Sequence, residues 1–339
     1  MKRTIKRALA LIMLFCLAAL SGCQKKEGGA STSKLKEGEL FRLEGRACTK
    51  QEALVFVLSQ KSRYEDGYGA GIWDVKVGDE TFDSYMKKNL LDFLVKMKCM
   101  TLMADQYDVE LSDEEKLRVS HAAETYINGL SDSVKKTTGI DKETAEEAFR
   151  DYYTASLLVD KLTANVSTEI SEDEARVITV QQIFLSTENV DAATKEKKRT
   201  DAQEILNQAQ AGQDFSLLAK NVNESEVFER ELSRGDVEQA LETAAFALGN
   251  GEMAPLVETE KGFYLIRCVN HYDEIKTAQN KEALGKKHKE DCFYEYYDAF
   301  VRGVTAEYNP NAWDAIDYRE SYEQQEQDFY TVYSQFFPA

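Results

Sequence analysis

The sequence has 339 residues, with 42 basic and 60 acidic side chains and a formal net charge of −18 at pH 7. A surplus of negative charge of this size repels nucleic acids and anionic lipid headgroups, so we expect neither as a ligand. The length is sufficient for two domains, or for one domain inserted into another.

The N-terminus has the pattern of a bacterial lipoprotein signal. Four basic residues precede an apolar run over residues 8–20, and this run is shorter than the roughly 20 residues of a membrane-spanning helix. The letters LSGC that end at Cys23 are typical of a lipobox, so residues 1–22 are predicted to be a cleaved leader. An ordinary signal peptide or a short anchor is the alternative. Cleavage makes Cys23 the lipidated first residue on the extracytoplasmic face of the cell membrane, and residues 23–37 a polar linker.

The cysteine spacing gives no sign of a metal or redox site. Once the leader and Cys23 are set aside, the remaining cysteines contain no C-x-x-C pair: Cys48, Cys99, Cys268 and Cys292. We therefore predict neither a bound metal nor a cofactor. Outside the cytoplasm these thiols can pair as disulfides in three ways, among which the sequence does not choose. Buried free thiols are the alternative.

Residues 38–174 are predicted to form a helical domain. Ser/Thr-x-x-Glu patterns begin at Thr49 and Ser112, and this reciprocal capping arrangement starts helices. Apolar residues recur at steps of three and four over residues 82–107 and again over residues 148–166, which is the helical period. We interpret both stripes as faces of a hydrophobic core.

The sequence pattern changes after the second stripe. Residues 177–185 are rich in β-branched and aromatic side chains and predict a strand. Helix-forming sequence follows over residues 191–212. Residues 254–259 and 263–269 predict further strands, before the chain turns helical again after about residue 276. Strands bracketed by helical segments indicate a compact α+β domain inserted into a helical one.

Residues 244–267 resemble the closing segment of a parvulin-type peptidyl-prolyl isomerase domain. The matching features are a helix containing Phe246 and Leu248, a Gly-Glu turn, a strand with Pro and Val, and a last strand opening at the Gly-aromatic pair that begins with Gly262. A lipidated cysteine, a helical N-terminal part, a central parvulin domain and a returning C-terminal helix together resemble the PrsA-type extracytoplasmic foldases and their relative SurA.

The resemblance implies an α+β chain of defined organisation. A parvulin-like domain over residues 175–272, with a small antiparallel sheet and surrounding helices, is inserted in an all-helical chaperone-like domain. Residues 38–174 are the N-terminal part of that domain, and residues 273–318 contain its returning C-terminal helix. Aromatic, acidic and glutamine residues mix over residues 319–339. That segment is either a disordered tail or a docking segment, and the sequence does not decide.

Parvulins place two histidines on adjacent strands beneath a slot for the proline ring. Gln182 and Tyr264 stand at these two points here, so they are the candidate catalytic residues and both usual histidines are absent. Val237 and Leu241 match apolar positions of the slot, and Thr259 matches a hydroxyl position at its rim. The resemblance makes these three the candidate substrate-binding residues.

The resemblance implies a membrane-anchored foldase that binds unfolded or newly secreted polypeptides outside the cytoplasm and engages X-Pro segments. Rotation about a prolyl bond crosses a barrier of about 18–20 kcal/mol and requires no cofactor. Both histidines are replaced. Parvulins also carry an Asp or Cys beside these histidines, and here only Asn223 or Glu224 stands near that acidic position. The sequence therefore leaves isomerase activity open, and a non-catalytic chaperone with the same fold is the alternative. A homodimer is left open as well.

Overall fold

The structure, a computed structural model, describes residues 35–323 and 327–338, so the leader, Cys23 and most of the linker lie outside the described residues. The chain divides into two compact units. The first contains Met1–Asn165 and Glu290–Ala339, and the second contains Val166–Lys289. Within the described ranges, no helix combines the length and the apolar composition needed to cross a bilayer.

The first unit begins with a β-hairpin followed by helices. Its elements in this part are β1 (Glu39–Leu43), β2 (Arg46–Thr49), α1 (Lys50–Tyr68), a 3-10 helix (Ala70–Asp74), the short strands β3 (Lys76–Val77) and β4 (Glu80–Thr81), α2 (Phe82–Gln106), α3 (Asp113–Asn128), α4 (Asp132–Thr138) and α5 (Lys142–Thr163). The caps expected at Thr49 and Ser112 are present. The Thr49 hydroxyl accepts a hydrogen bond from the Glu52 amide at 3.2 Å, and Ser112 and Glu115 form a reciprocal capping box. Both satisfy amides that the start of a helix leaves without partners.

The two apolar stripes face the interior of this unit. The buried residues of α2 include Met86, Leu90 and Met97, and those of α5 include Ala148 and Tyr152. Helical spacing places each set on one side of its helix. Removal of these side chains from water is the main favourable contribution to the stability of the unit.

The second unit is the α+β part of the chain. Its elements are α6 (Glu172–Ala175), β5 (Ile178–Ser186), α7 (Ala192–Gln210), α8 (Phe215–Val222), β6 (Glu229–Leu232), α9 (Gln239–Phe246), β7 (Val257–Glu258) and β8 (Gly262–Asn270). The strands form one antiparallel sheet in the order β6-β5-β8-β7. The expected fold class, with a small antiparallel sheet surrounded by helices, is confirmed.

The two faces of this sheet pack against different helices, because successive side chains of a strand point to opposite faces. Ile183 and Phe263 belong to a buried cluster that includes residues of α7 and α8. Val180 and Ile266 belong to a second buried cluster, which includes residues of α9. The candidate slot residues belong to the cluster with α9.

The chain then returns to the first unit. The remaining elements are α10 (Glu274–Val301), β9 (Ala306–Tyr308), α11 (Pro310–Asp314) and α12 (Phe329–Phe336). The returning helix thus ends at Val301, well before residue 318. Strand β9 extends the N-terminal hairpin to a three-stranded sheet of order β2-β1-β9, with Phe41 opposite Tyr308. The first unit is therefore mostly helical but carries a small sheet, whose short strands are too brief to give a periodic signal.

The C-terminal segment, which the sequence left undecided, is packed into the first unit over its described residues. Phe329 and Val332 of α12 are fully buried, and the ring centroids of Phe329 and Phe149 are 4.2 Å apart. Arg63 on α1 donates to both carboxylate oxygens of Asp328, at 2.8 and 3.0 Å. Apolar burial and a bidentate ion pair together hold the segment in place.

The cysteines of the described chain are free thiols. Cys48, Cys99 and Cys268 are buried, and Cys292 is half-buried. Burial raises the pKa of Cys99 to about 11 and raises the pKa of Cys48 as well. These two thiols therefore stay protonated at neutral pH, and a protonated thiol is a poor nucleophile.

The first unit encloses a charged cluster around Lys98, which is 1% exposed. The Lys98 Nζ atom lies 2.9 Å from a carboxylate oxygen of Glu52, 2.9 Å from one of Glu147 and 2.8 Å from one of Asp151. Burial raises the pKa of Glu52 to about 7 and also raises the pKa of Asp151. Burial alone would lower the pKa of Lys98, but the neighbouring carboxylates raise it. The ammonium therefore stays charged and compensates the buried acids around it.

Candidate functional site

The register of β5 against β8 brings Gln182 and Tyr264 onto the same face of the sheet. Gln182 is opposite Ile266, and Phe184 is opposite Tyr264. Gln182 and Tyr264 are therefore diagonal neighbours on adjacent strands. They share the face that packs against α9, so the structure brings the two candidate catalytic positions together on the side of the candidate slot.

The side chain of Gln182 is occupied by a structural contact. Gln182 is 5% exposed, and its Nε2 atom donates a hydrogen bond to the carbonyl of Val227 at 3.1 Å. Its backbone amide donates to the carbonyl of Phe228 at 2.7 Å. The residue thus ties the loop before β6 to β5, and one of its two side-chain N–H donors is used in that structural contact.

The two residues near the usual acidic position are also engaged with β5. The Asn223 side-chain oxygen accepts hydrogen bonds from the amides of Phe184 at 2.8 Å and Ser225 at 3.2 Å. A Glu224 carboxylate oxygen accepts from the amide of Ser186 at 2.8 Å, and the Glu224 amide donates to the Phe184 carbonyl at 2.9 Å. Both side chains satisfy backbone groups at the sheet edge, which would otherwise be without partners.

Tyr264 has a polar group on this face that is still available. It is half-buried, and its ring packs on that of Phe184 with centroids 4.5 Å apart. Its hydroxyl makes no hydrogen bond to any residue in the described part of the chain. Partial burial raises the pKa of Tyr264, so the hydroxyl is neutral at pH 7 and can donate to a carbonyl oxygen.

The apolar part of the candidate slot is compact. Leu241 of α9 is 4% exposed, whereas Val237 is half-buried, and both belong to the cluster that also contains Tyr264. Phe246 is buried, as expected for a core aromatic, and the guanidinium of Arg234 lies 4.2 Å from its ring centroid. A cation over an aromatic face is attracted by the ring quadrupole. The buried residues Leu241 and Phe246 therefore form the interior side of the slot, and Val237 and Tyr264 form its accessible side.

The hydroxyl of Thr259 is used within the turn between β7 and β8. Thr259 is buried, donates to the Gly262 carbonyl at 3.2 Å, and accepts from the amides of Lys261 at 3.2 Å and Gly262 at 3.3 Å. Gly262 has φ of +154°, and a Cβ atom there would lie 2.2 Å from the Leu185 carbonyl oxygen. The Gly-aromatic pair thus begins with glycine because the backbone of β5 approaches too closely for any side chain.

We expect the Thr259→Val variant to lose about 1–2 kcal/mol of unfolding free energy, because two buried amides lose their acceptor. Urea unfolding of the full chain measures this loss. The matched control is Thr243→Val, since Thr243 is exposed on α9. Unchanged stability together with weaker binding of X-Pro peptides would contradict the structural role and support a rim role for Thr259.

The residues that partner the candidate positions were not identified from the sequence. The acceptor for Gln182 is the main-chain carbonyl of Val227, and a backbone carbonyl carries no signature in a sequence. The stacking of Arg234 on Phe246 likewise has no signature in the sequence. Such contacts depend on the tertiary arrangement of segments distant in the sequence.

A protein-family model matches most of the second unit. The family described as PPIC-type PPIASE domain matches residues 161–272. The chain is 23% identical over 323 residues to the foldase protein PrsA of Caldanaerobacter subterraneus subsp. tengcongensis, covering 88% of this chain and 94% of that protein. It is 24% identical over 264 residues to the foldase protein PrsA of Clostridium botulinum strain Langeland, covering 68% of this chain and 75% of that protein.

Solved structures of similar description also match. The peptidylprolyl isomerase PrsA of Bacillus cereus matches with a TM-score of 0.37 and 14% identity, covering 87% of this chain and 96% of that chain. A SurA-like chaperone of Campylobacter jejuni matches with a TM-score of 0.29 and 11% identity, covering 80% of this chain and 99% of that chain. The parvulin resemblance of residues 244–267 is confirmed by the family match. Residues 161–272 therefore form a domain of the PPIC-type peptidyl-prolyl isomerase family, in a chain that resembles the PrsA foldases along most of its length.

Proposed function

We propose that this protein is an extracytoplasmic foldase that binds unfolded, newly secreted polypeptides and is held at the cell membrane through a lipidated Cys23. The relatives named foldase protein PrsA and the isomerase domain support a foldase function. The lipobox pattern ending at Cys23 supports the anchor. The observation that carries most weight is that Gln182 and Tyr264 are diagonal neighbours on the sheet face that holds the slot residues.

In this proposal, residues 175–272 engage X-Pro segments through the exposed side of the slot. Val237 and Leu241 contact the proline ring, and apolar surroundings favour the twisted prolyl amide over the planar, charge-separated form. The Tyr264 hydroxyl donates to a carbonyl of the bound segment and orients the amide. Gln182 acts by positioning the loop at Val227, because its side chain is already hydrogen-bonded there.

The Tyr264 hydroxyl gives a direct test of isomerase chemistry. We expect residues 24–339 to accelerate prolyl exchange in Ala-X-Pro-Phe peptides, measured by NMR exchange spectroscopy. The Tyr264→Phe variant keeps the ring and removes one hydrogen bond, so exchange should slow about tenfold, the equivalent of about 1.4 kcal/mol. The matched control is Tyr272→Phe, because Tyr272 donates to Glu172 elsewhere in the same unit.

A second candidate function is a non-catalytic chaperone that keeps the parvulin fold for peptide binding. The hydrogen bond from Gln182 to Val227 favours this candidate, because it gives a structural role to one of the two residues at the usual histidine positions. Prolyl exchange equal to that in buffer, together with suppressed aggregation of a denatured client, would identify it. The foldase proposal itself fails if the protein neither accelerates exchange nor suppresses aggregation.

A further inference from the structure

A groove of 670 Å³ lies in the first unit, where the end of α2, the last turns of α10 and the β1–β2 turn meet. We call it the tyrosine groove. The residues that line it include Glu44, Tyr107, Glu295, Tyr296, Phe300 and Val304. A volume of this size is within the range of cavities that accept ligands. None of the candidate residues of the isomerase domain lines it.

The walls of the tyrosine groove are aromatic and its floor is apolar. The rings of Tyr107 and Tyr296 meet edge to face, with centroids 5.9 Å apart. Tyr296 is 41% exposed, while Phe300 and Val304 are half-buried. An aromatic ring that stays partly open to water in this way is available for contact with a ligand.

The charged side chains that line the groove are acidic. Glu295 is exposed and forms no ion pair with any residue that the structure describes. Glu44 accepts hydrogen bonds from the amide and hydroxyl of Thr305, which lower the pKa of its carboxyl group. No lysine or arginine lines the groove, and the nearby Lys161 ammonium is hydrogen-bonded to the carbonyls of Tyr107 and Asp108. The groove lining therefore carries two carboxylates and no cation, and the Lys161 ammonium lies beside it at the backbone of Tyr107.

We propose that the tyrosine groove binds extended client segments in which an aromatic or branched apolar residue is flanked by arginine or lysine. The inference rests on the proposed foldase function and names the class of client segment. An apolar side chain fills the floor at Phe300 and Val304, and a guanidinium lies over the exposed Tyr296 ring beside the Glu295 carboxylate. The net charge of −18 draws basic segments toward the protein.

Peptides without proline test the groove independently of the isomerase domain. Fluorescence anisotropy with residues 24–339 would compare labelled GSRFLRSG with its charge-reversed form GSEFLESG. We expect the basic peptide to bind at least about tenfold more tightly, since each exposed charge pair contributes up to about 1 kcal/mol. The Glu295→Lys variant should weaken binding of the basic peptide about tenfold and strengthen binding of the acidic one. Tyr296→Ala should weaken binding of both peptides.

The matched control is Asp298→Lys, which makes the same charge change at an exposed residue of α10 outside the groove lining. We expect this variant to bind both peptides as the unmodified protein does, and circular dichroism checks that each variant is folded. Equal losses in Glu295→Lys and Asp298→Lys would overturn the proposal in favour of non-specific attraction. Absence of peptide binding by a protein that still suppresses client aggregation would overturn the groove assignment alone, leaving the foldase function intact.

Discussion

Replacement of Lys98 by methionine is expected to destabilise the first unit by about 3–5 kcal/mol at pH 8, because it leaves buried carboxylates without their counter-charge. Glu52 and Asp151 are both buried, and each has an oxygen within 2.9 Å of the Lys98 Nζ atom. Methionine has a similar length and no charge. The loss of unfolding free energy therefore measures the contribution of the ammonium group and not the cost of a cavity. Urea unfolding of residues 24–339, followed by circular dichroism, measures the effect.

The destabilisation caused by Lys98→Met is expected to depend on pH in a defined direction. The pKa of Glu52 is about 7 in the folded protein against an ordinary value of 4.5. The folded state therefore binds more protons than the unfolded state between these values, and stability falls as pH rises from about 4.5 to about 7. Without the Lys98 ammonium the carboxyl pKa values rise further. The cost of Lys98→Met should accordingly be smaller at pH 5 than at pH 8.

The matched control is Lys88→Met on the same helix. Lys88 is exposed and pairs with Glu80 at 2.6 Å at the surface, an interaction worth at most about 1 kcal/mol. A Lys98→Met variant as stable as this control at pH 8 would show that the buried acids are neutral in the folded protein. The double variant Lys98→Met with Glu52→Gln should recover part of the loss, since it removes one of the orphaned carboxylates.

Truncation of Phe329 to alanine is the second large effect, with an expected loss of about 3–5 kcal/mol. The Phe329 ring is fully buried and packs against the rings of Phe149 and Phe56, with centroid distances of 4.2 and 4.8 Å. Alanine would leave a cavity among side chains of α1 and α5. Urea unfolding of the same chain, with Ser334→Ala at an exposed position of α12 as the control, measures the loss.

A truncated chain that ends at residue 323 separates the contribution of Phe329 from that of the rest of the C-terminal segment. If α12 contributes mainly through Phe329, the truncation and Phe329→Ala should destabilise the first unit to a similar degree. A loss below about 1 kcal/mol for Phe329→Ala would mean that the surrounding rings close over the site, against the rigidity expected of a packed core. In that case the Arg63–Asp328 ion pair would be the main attachment of the segment.

The sequence predicted those parts of the fold in which periodicity extends over many residues. The stripes on α2 and α5 and the strand over residues 177–185 correspond to elements of the structure, because each repeats a local pattern often enough to be recognised. The last strands were located through the Gly-aromatic pair at Gly262, where the close approach of β5 excludes any other residue. The periodic signals depend on neighbours within the same segment, whereas the glycine records a contact with a distant strand.

The remaining features depend on partners far away in the sequence. Helix α12 has only eight residues, and its burial arises from rings on α1 and α5. In the sequence, Lys98 has the appearance of a surface residue of a helix. In the structure it is buried, and the acids that compensate its charge lie on other helices. At the candidate site, the type of residue at positions 182 and 264 could be read directly. The hydrogen bond from Gln182 to the Val227 carbonyl could not be predicted, since main-chain acceptors have no sequence signature.

The interruption of the first unit has a consequence for biogenesis. Strand β1 near the N-terminus pairs with β9, and Arg63 pairs with Asp328, while residues 166–289 form a separate unit between them. A chain that emerges N-terminus first, as in synthesis, therefore presents most of this unit long before its closing elements arrive. The second unit is contiguous and can fold as it emerges, but the first must wait for the C-terminus. We expect its nascent helices to stay open to proteolysis and to chaperones until the last residues have emerged.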